Sequence, residues 1–412
     1  MSSDQAGSTP NRVLKRGRKF LNTPGPTNLP ESVLNAMHRP TVDLEDPSFI
    51  EAARDSYEKL QRIIGTRHDV VMYISNGHGA WEAAMVNTLA PGDKVLAPET
   101  GHFSTSWLDM AQALELEVEH LPGDWRRALR PEAVAERLTA DKTGEIKAVL
   151  TVHTETGTGI TADIPAVRKA IDDAGHDALL MVDTIASLGT CPYEMDAWGV
   201  DVTIAASQKG LMMAPGMGFV AVNDKAMEAY KRSTSNKRYW DIGPRLEGAG
   251  YLKFCGTSPQ IMMFGLQEGL SLFFQEGPEK VFERHRVLAE ATWKAIDIWA
   301  RAGALEINAL DPSERSVGVT AVRVADGIDA SQIRTLCRDE MMTGIAGGLG
   351  KLRGQAFRIG HMGDMNAPML YGALGSIEAT LNYLDVPYTP GGVTAAITHI
   401  AEYKKANGPT TF

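Results

Sequence analysis

The chain has 412 residues, 43% hydrophobic and 22% charged, enough for one large domain, a smaller companion and a sizeable core. A formal net charge of −10 argues against a nucleic-acid or anionic-membrane surface. Three scattered cysteines, Cys191, Cys255 and Cys337, make neither a disulfide framework nor a zinc spacing, so no metal site is expected and a reduced, cytoplasmic setting is. No apolar run is long enough to span a bilayer.

The first 19 residues are polar and basic and read as a flexible arm. A proline-punctuated loop follows from Phe20, then a short helix over Pro30 to Met37 and a longer one over Pro47 to Ile64. Strands and helices then alternate. Strands are expected at Asp69 to Ile74, Lys94 to Ala97, Glu115 to His120, Lys147 to Val152, Ala178 to Val182 and Val200 to Ala206, with Gly218 to Val222 returning antiparallel. Helices are expected over Trp81 to Leu89, Ser104 to Leu114, Pro131 to Leu138 and Ile164 to Asp173. This order predicts an α/β fold with a mostly parallel sheet covered on both faces. The segment Trp240 to Phe254 reads as irregular. Helices over Gln260 to Phe274 and Pro278 to Ala302 lead into a smaller domain. That domain has strands near Ala304 to Ile307, Gly318 to Val324 and Ala356 to Ile359, helices over Ala330 to Asp339 and Ala367 to Leu384, and a glycine-rich loop from Gly344 to Gly354. The expected division is an arm over 1–19, a large domain over 20–285 and a small one over 286–412.

Ligands of such sheets lie at the carboxyl ends of the strands, and the chemically suggestive residues of the large domain fall there. Ser75-Asn76-Gly77-His78-Gly79 joins a strand to a helix, where bare glycine backbone and free N–H groups suit a phosphate. The spacing is not that of a dinucleotide fingerprint, and Gly350-Lys351 lacks the rest of a P-loop. Asp183 and Lys209 each end an apolar strand. A desolvated lysine stays neutral enough to form a Schiff base with a pyridine aldehyde, and an aspartate keeps the ring nitrogen protonated. Arg358 inside the apolar run Ala356-Phe357-Arg358-Ile359 needs a partner, and a substrate carboxylate would fill its fork. Taken singly, Lys209 also reads as a strand-end lysine reaching water, Asp183 as a helix cap and Arg358 as the partner of an internal acid. Phe103, after a strand, suits stacking on a flat ring but taken alone reads rather as core, and His361 reads as a structural hydrogen-bonder.

Six segments in order resemble a class V, fold-type I pyridoxal-phosphate aminotransferase of the serine/alanine–glyoxylate kind, over about Phe20 to Leu384. They are Thr23-Pro24-Gly25-Pro26-Thr27-Asn28, Asn76-Gly77-His78-Gly79-Ala80-Trp81-Glu82, His153-Thr154-Glu155-Thr156-Gly157-Thr158-Gly159, Val182-Asp183-Thr184-Ile185-Ala186-Ser187-Leu188-Gly189, Ser207-Gln208-Lys209-Gly210 and Phe357-Arg358-Ile359-Gly360-His361-Met362-Gly363-Asp364. The resemblance implies a seven-stranded sheet in the large domain, a smaller C-terminal α+β domain and pyridoxal 5'-phosphate as cofactor. It implies catalytic roles for Lys209, which would carry the cofactor and move the α-proton, and for Asp183, paired with the ring nitrogen. Asn76, Gly77, His78 and Gln208 would hold the phosphate, Phe103 would stack on the ring and Thr156 would meet its hydroxyl. Arg358 would clamp the substrate α-carboxylate, with the Gly25 loop closing over it.

The resemblance further implies a homodimer in which a Tyr-Thr-Pro-like loop of the partner completes the phosphate site. Here that stretch is Phe254-Cys255-Gly256-Thr257-Ser258-Pro259, without the tyrosine, so that Thr257 is the expected contact and Ser258 the alternative. Thr154 stands where serine–glyoxylate relatives often carry asparagine. The expected reaction is ping-pong transfer of an amino group from serine, alanine or aspartate to glyoxylate or another small 2-oxo acid. A lyase, a decarboxylase or a desulfurase on the same cofactor are the alternatives, although Cys337 falls in an expected helix rather than on a loop. An inactive protein that kept the fold is the alternative from another class.

Overall fold

The computed structural model describes residues 15–412 apart from Ala249. Seven strands form the main sheet, in the order Val70–Ile74, Met217–Val222, Val202–Ala206, Leu179–Asp183, Ile146–Val152, Lys94–Pro98 and Glu117–Leu121. Met217–Val222 runs antiparallel to both neighbours and every other pairing is parallel. Leu180 and Val182 enter one apolar cluster while Leu179 and Met181 enter the other. Alternate side chains of one strand are thus buried on opposite faces, which explains why its sequence is apolar throughout.

A second sheet is antiparallel, ordered Leu305–Ile307, Val319–Val324, Ala356–Gly360 and Ala346–Gly347. It has its own apolar cluster, built with Ala367–Tyr383 and Gly392–Asn407. The helix Pro278–Trp299 passes between the two cores: Val281 belongs to the first, and Val287, Ile296 and Trp299 to the second. The expected α/β architecture, with a mostly parallel seven-stranded sheet and a smaller α+β unit, is the one observed.

Several elements depart from expectation. The helix expected from Trp81 begins at Gly77, because Asn76 caps it by accepting the Gly79 amide at 3.2 Å. The irregular stretch contains a short helix, Gly243–Glu247, and a 3₁₀ turn, Gly250–Phe254. The helices Asp224–Arg232 and Gly392–Asn407 have no counterpart in the sequence reading. Most of the basic arm, 1–14, lies outside the described residues. At its end Lys15 pairs with Glu340 at 2.7 Å, and Phe20–Leu21 pairs in parallel with Thr343–Gly344. The three cysteines are unpaired. Among the described residues there is no helix long and apolar enough to cross a membrane, and no cluster of side chains placed to hold a metal.

Candidate active site

Lys209 follows Val202–Ala206 and Asp183 ends the adjacent parallel strand Leu179–Asp183, so the sheet brings both residues to one edge. Both are buried, at 7% and 4% exposure, which decides their chemistry. Lys209 donates to the Pro24 carbonyl at 2.6 Å and to Thr156 Oγ1 at 3.2 Å. Neither partner carries a negative charge. Burial, reinforced by the positive charge of Arg358, draws the amine down to about 7. Asp183 accepts from the Ile185 amide at 2.6 Å and from Trp81 Nε1 at 3.0 Å, yet burial pushes its carboxyl up to about 7. A buried carboxylate so placed favours a cationic N–H donor, the form of a protonated pyridine.

The phosphate-type turn lies at the end of Val70–Ile74 and opens the twelve-residue helix Gly77–Thr88. The amides of Gly77 and His78 stand in its first turn, where no intrahelical acceptor exists. Gln208 stands just before Lys209, after the strand Val202–Ala206, and its side-chain Nε2 group is the donor a phosphate needs. A Cβ on Gly77 would come within 2.3 Å of Ile185 Cδ1, so the turn lies close against the residue two past Asp183 and a side chain there would push the Ile185 tip aside. The free amides of the turn, the buried carboxylate and the buried amine fit the phosphate, ring nitrogen and aldehyde ends of pyridoxal phosphate.

Phe103 closes the cluster, with its ring centre 5.8 Å from Lys209 Nζ and 6.4 Å from the rings of both His78 and Trp81. Glu155, which the sequence reading passed over as part of a motif, sets its position. Glu155 Oε2 accepts the Phe103 and Ser104 amides at 3.0 Å each, and Oε1 accepts the Gly157 amide at 2.8 Å. These bonds offset the burial that raises its carboxyl and fix the start of the helix His102–Ala113. Trp81 was passed over as well. It stacks on Trp107 at 5.5 Å and holds Asp183. A buried acid and a buried indole both need partners, and that need was the available signal.

Arg358 arrives from the second sheet, on Ala356–Gly360. Its Nε donates to the Gly347 carbonyl at 2.8 Å and its Nη1 to the Thr156 carbonyl at 3.0 Å. Both acceptors are neutral, so the fork keeps its charge for an outside anion. The Gly25 loop covers the lysine. At Gly25, where φ is +104°, an added Cβ would stand 2.9 Å from Lys209 Cε. His361 is structural, between Thr320 Oγ1 at 2.9 Å and the Val317 carbonyl at 2.9 Å. Thr257 is not brought into this cluster: it is exposed on the loop after Phe254 and joined to none of these residues by a hydrogen bond. Ser258 beside it is buried and its Oγ lacks a partner among the described residues.

The sequence profile of the class-V aminotransferases matches residues 8–350. The serine–glyoxylate aminotransferase of Methylorubrum extorquens is 41% identical over 94% of this chain and 97% of its own. The L-aspartate–glyoxylate aminotransferase of Paracoccus denitrificans is 38% identical over 91% and 94%. The crystal structure of the ureidoglycine–glyoxylate aminotransferase of Bacillus subtilis superposes with a TM-score of 0.85 at 28% identity, covering 95% of this chain and all of that one. The chain therefore belongs to the class-V aminotransferase family, on the fold-type I scaffold. It is a pyridoxal-phosphate-dependent transaminase.

Proposed function

We propose that this transaminase moves the amino group of a small amino acid, serine, alanine or aspartate, to glyoxylate or a similar 2-oxo acid by a ping-pong route. The observation that carries the site assignment is the buried pair Lys209 and Asp183 at neighbouring strand ends, each displaced to about 7. The named substrates of the relatives supply the donor and acceptor classes. Pyridoxal phosphate, when bound, supplies a protonated ring that draws electrons from the substrate α-carbon. Asp183 holds the proton at the ring nitrogen. Lys209 Nζ, kept neutral by burial, takes the proton from the α-carbon and returns it. Gly77, His78, Gln208 and Asn76 would bind the phosphate, Phe103 would cover the ring and Thr156 would meet its hydroxyl. Arg358 aligns the α-carboxylate, and the Gly25 loop keeps water from the amine.

The same reading places the domain division near residue 285, where the helix Pro278–Trp299 leaves one core for the other. It makes the protein a cytoplasmic homodimer. An apolar groove of about 790 Å³ lined by Phe49, Ile50, Tyr57, Leu246 and Phe254 supports a second copy seated there. Thr257, exposed beside it, is then offered to the partner's phosphate site. A donor panel of serine, alanine, aspartate and glycine against glyoxylate, pyruvate and 2-oxoglutarate tests the reading. Glyoxylate should give the highest kcat/KM among acceptors; a preference for 2-oxoglutarate over glyoxylate would overturn it. Aspartate leading serine would select the dicarboxylic donor.

A further inference from the structure

Glu99 lies outside every segment that carries the chemistry, just past the strand Lys94–Pro98, yet its side chain is buried. A carboxylate taken out of water needs several donors. Three segments supply them: Trp125 Nε1 at 2.6 Å, His120 Nε2 at 2.9 Å and Lys351 Nζ. Burial alone would raise this carboxyl, and the bonds from Lys351 and Trp125 outweigh it and hold the group below its ordinary value. Lys351 belongs to the glycine-rich loop of the second sheet, in the turn Gly350–Leu352. Leu352 and Ala356 pack with Trp125 in a small apolar cluster, and Lys351 Nζ stands 5.2 Å from the Trp125 ring centre.

The loop so held bears on the substrate end of the site at two points. A Cβ on Gly350 would lie 2.7 Å from the Trp125 ring and 3.5 Å from His102 Nδ1, so the loop backbone rests directly against the residue preceding Phe103. Gly347, at its other end, accepts Arg358 Nε, while Thr156 of the main domain accepts Nη1. The guanidinium is therefore aimed by one carbonyl from each domain, and a shift of the loop relative to the main sheet would rotate it. We propose that Glu99 and Lys351 form a positioning pair that docks this loop on the main domain and so fixes the carboxylate-binding geometry of Arg358. The inference rests on the reading of Arg358 as the α-carboxylate clamp. A fixed, buried acceptor distinguishes the pair from a surface contact such as Lys94–Glu145, whose partners are 24% and 59% exposed.

The test uses the cofactor-loaded enzyme, with kcat and KM measured for one amino donor and one 2-oxo acid. Lys351→Met keeps the stem over Trp125 and removes the charge. KM for both substrates should rise about three- to tenfold, the loss expected for one hydrogen-bonded ion pair whose cation is largely exposed, with kcat within about twofold. Lys351→Arg should restore KM, Lys94→Met should leave it unchanged, and Glu99→Gln combined with Lys351→Met should be no worse than Glu99→Gln alone. Arg358→Ala is assayed alongside. If it raises KM while Lys351→Met does not, the positioning pair is overturned and the clamp stands. If Arg358→Ala leaves KM unchanged, the clamp reading itself fails and the pair's proposed role with it. Lys351 is largely exposed, so its variants fold even should Glu99→Gln not.

Discussion

In the proposed mechanism two side chains decide the chemistry, and each is held in a state that water would not favour. Lys209 has no acidic hydrogen-bond partner, which keeps its amine available as a base. Lys209→Ala should lower turnover by at least about a thousandfold while the fold persists, as the loss of both the covalent anchor and the proton carrier requires. Steady-state assays with circular dichroism on the same sample check this, and near wild-type turnover would refute the assignment. Asp183 carries the opposite burden, since burial raises its carboxyl to about 7 from an ordinary 3.8. In the cofactor-free protein the native state therefore holds a proton that the unfolded chain releases between about pH 4 and 7. Its contribution to stability is complete below that window and is lost as pH rises through it. Asp183→Asn should remove that loss, so its melting temperature relative to cofactor-free wild type should increase from pH 5 to pH 8, while its turnover collapses. A difference that is flat or falls with pH would show that Asp183 is not the strained group.

Glu155 and Trp81 show what a residue-scale reading passes over. Their partners come from elsewhere in the chain: Glu155 is bonded to amides about fifty positions earlier and Trp81 to a carboxylate about a hundred positions later, so no local spacing reveals them. Asp183, Lys209 and Arg358 were legible because each is a charged residue in or at the end of an apolar run, a placement that demands a partner.

At the scale of elements, the strand ends and the loops that cover them do the positioning. The Gly25 loop is the sharpest case, because its backbone and its proximity to Lys209 both exclude a side chain. Gly25→Ala should cost about 1–2 kcal/mol in backbone strain alone. Its methyl group should also displace the lysine side chain, so activity should fall further than stability does. Comparing kcat/KM with the denaturation midpoint checks this, and an unimpaired enzyme would mean that the loop does not close over the amine. Helices with strong apolar periodicity, such as Pro47–Ile64, could be read from sequence. Asp224–Arg232 carried the same kind of signal, with Asn223 capping it through the Ala226 amide and Met227 and Tyr230 packing beside the buried Ala226 and Ala229, and the sequence reading missed it. Gly392–Asn407 opens on glycine with no capping side chain and buries little beyond Ala396 and Ile400. Gly392–Asn407 is held by packing, whose signal lies in the partner element and not in the helix.

The whole molecule couples its two cores through the site. Lys209, Asp183 and the phosphate turn belong to the main sheet and Arg358 to the second, so ligands bound between them bind only the folded chain. Loading the enzyme with pyridoxal phosphate at about a hundred times its dissociation constant should add about 2.7 kcal/mol of apparent stability, beyond any covalent contribution. Stripping the cofactor should lower the melting temperature by several degrees, and Lys209→Ala should show a smaller difference between the loaded and stripped states. Calorimetry on both forms checks this, and equal melting temperatures with and without cofactor in the wild type would place the cofactor elsewhere.

By itself the sequence determined the alternation of elements, the mostly parallel sheet and the placing of its charged residues at strand ends, because these follow from short-range periodicity and from the cost of burying charge. The tertiary structure alone decided which strand ends are neighbours, how Glu155 aims Phe103, and how the Gly347 and Thr156 carbonyls aim Arg358. It also placed Glu99 and Lys351, 252 positions apart, in contact. Such arrangements depend on contacts between distant segments, and those contacts come into being only when the sheet brings the strand ends together.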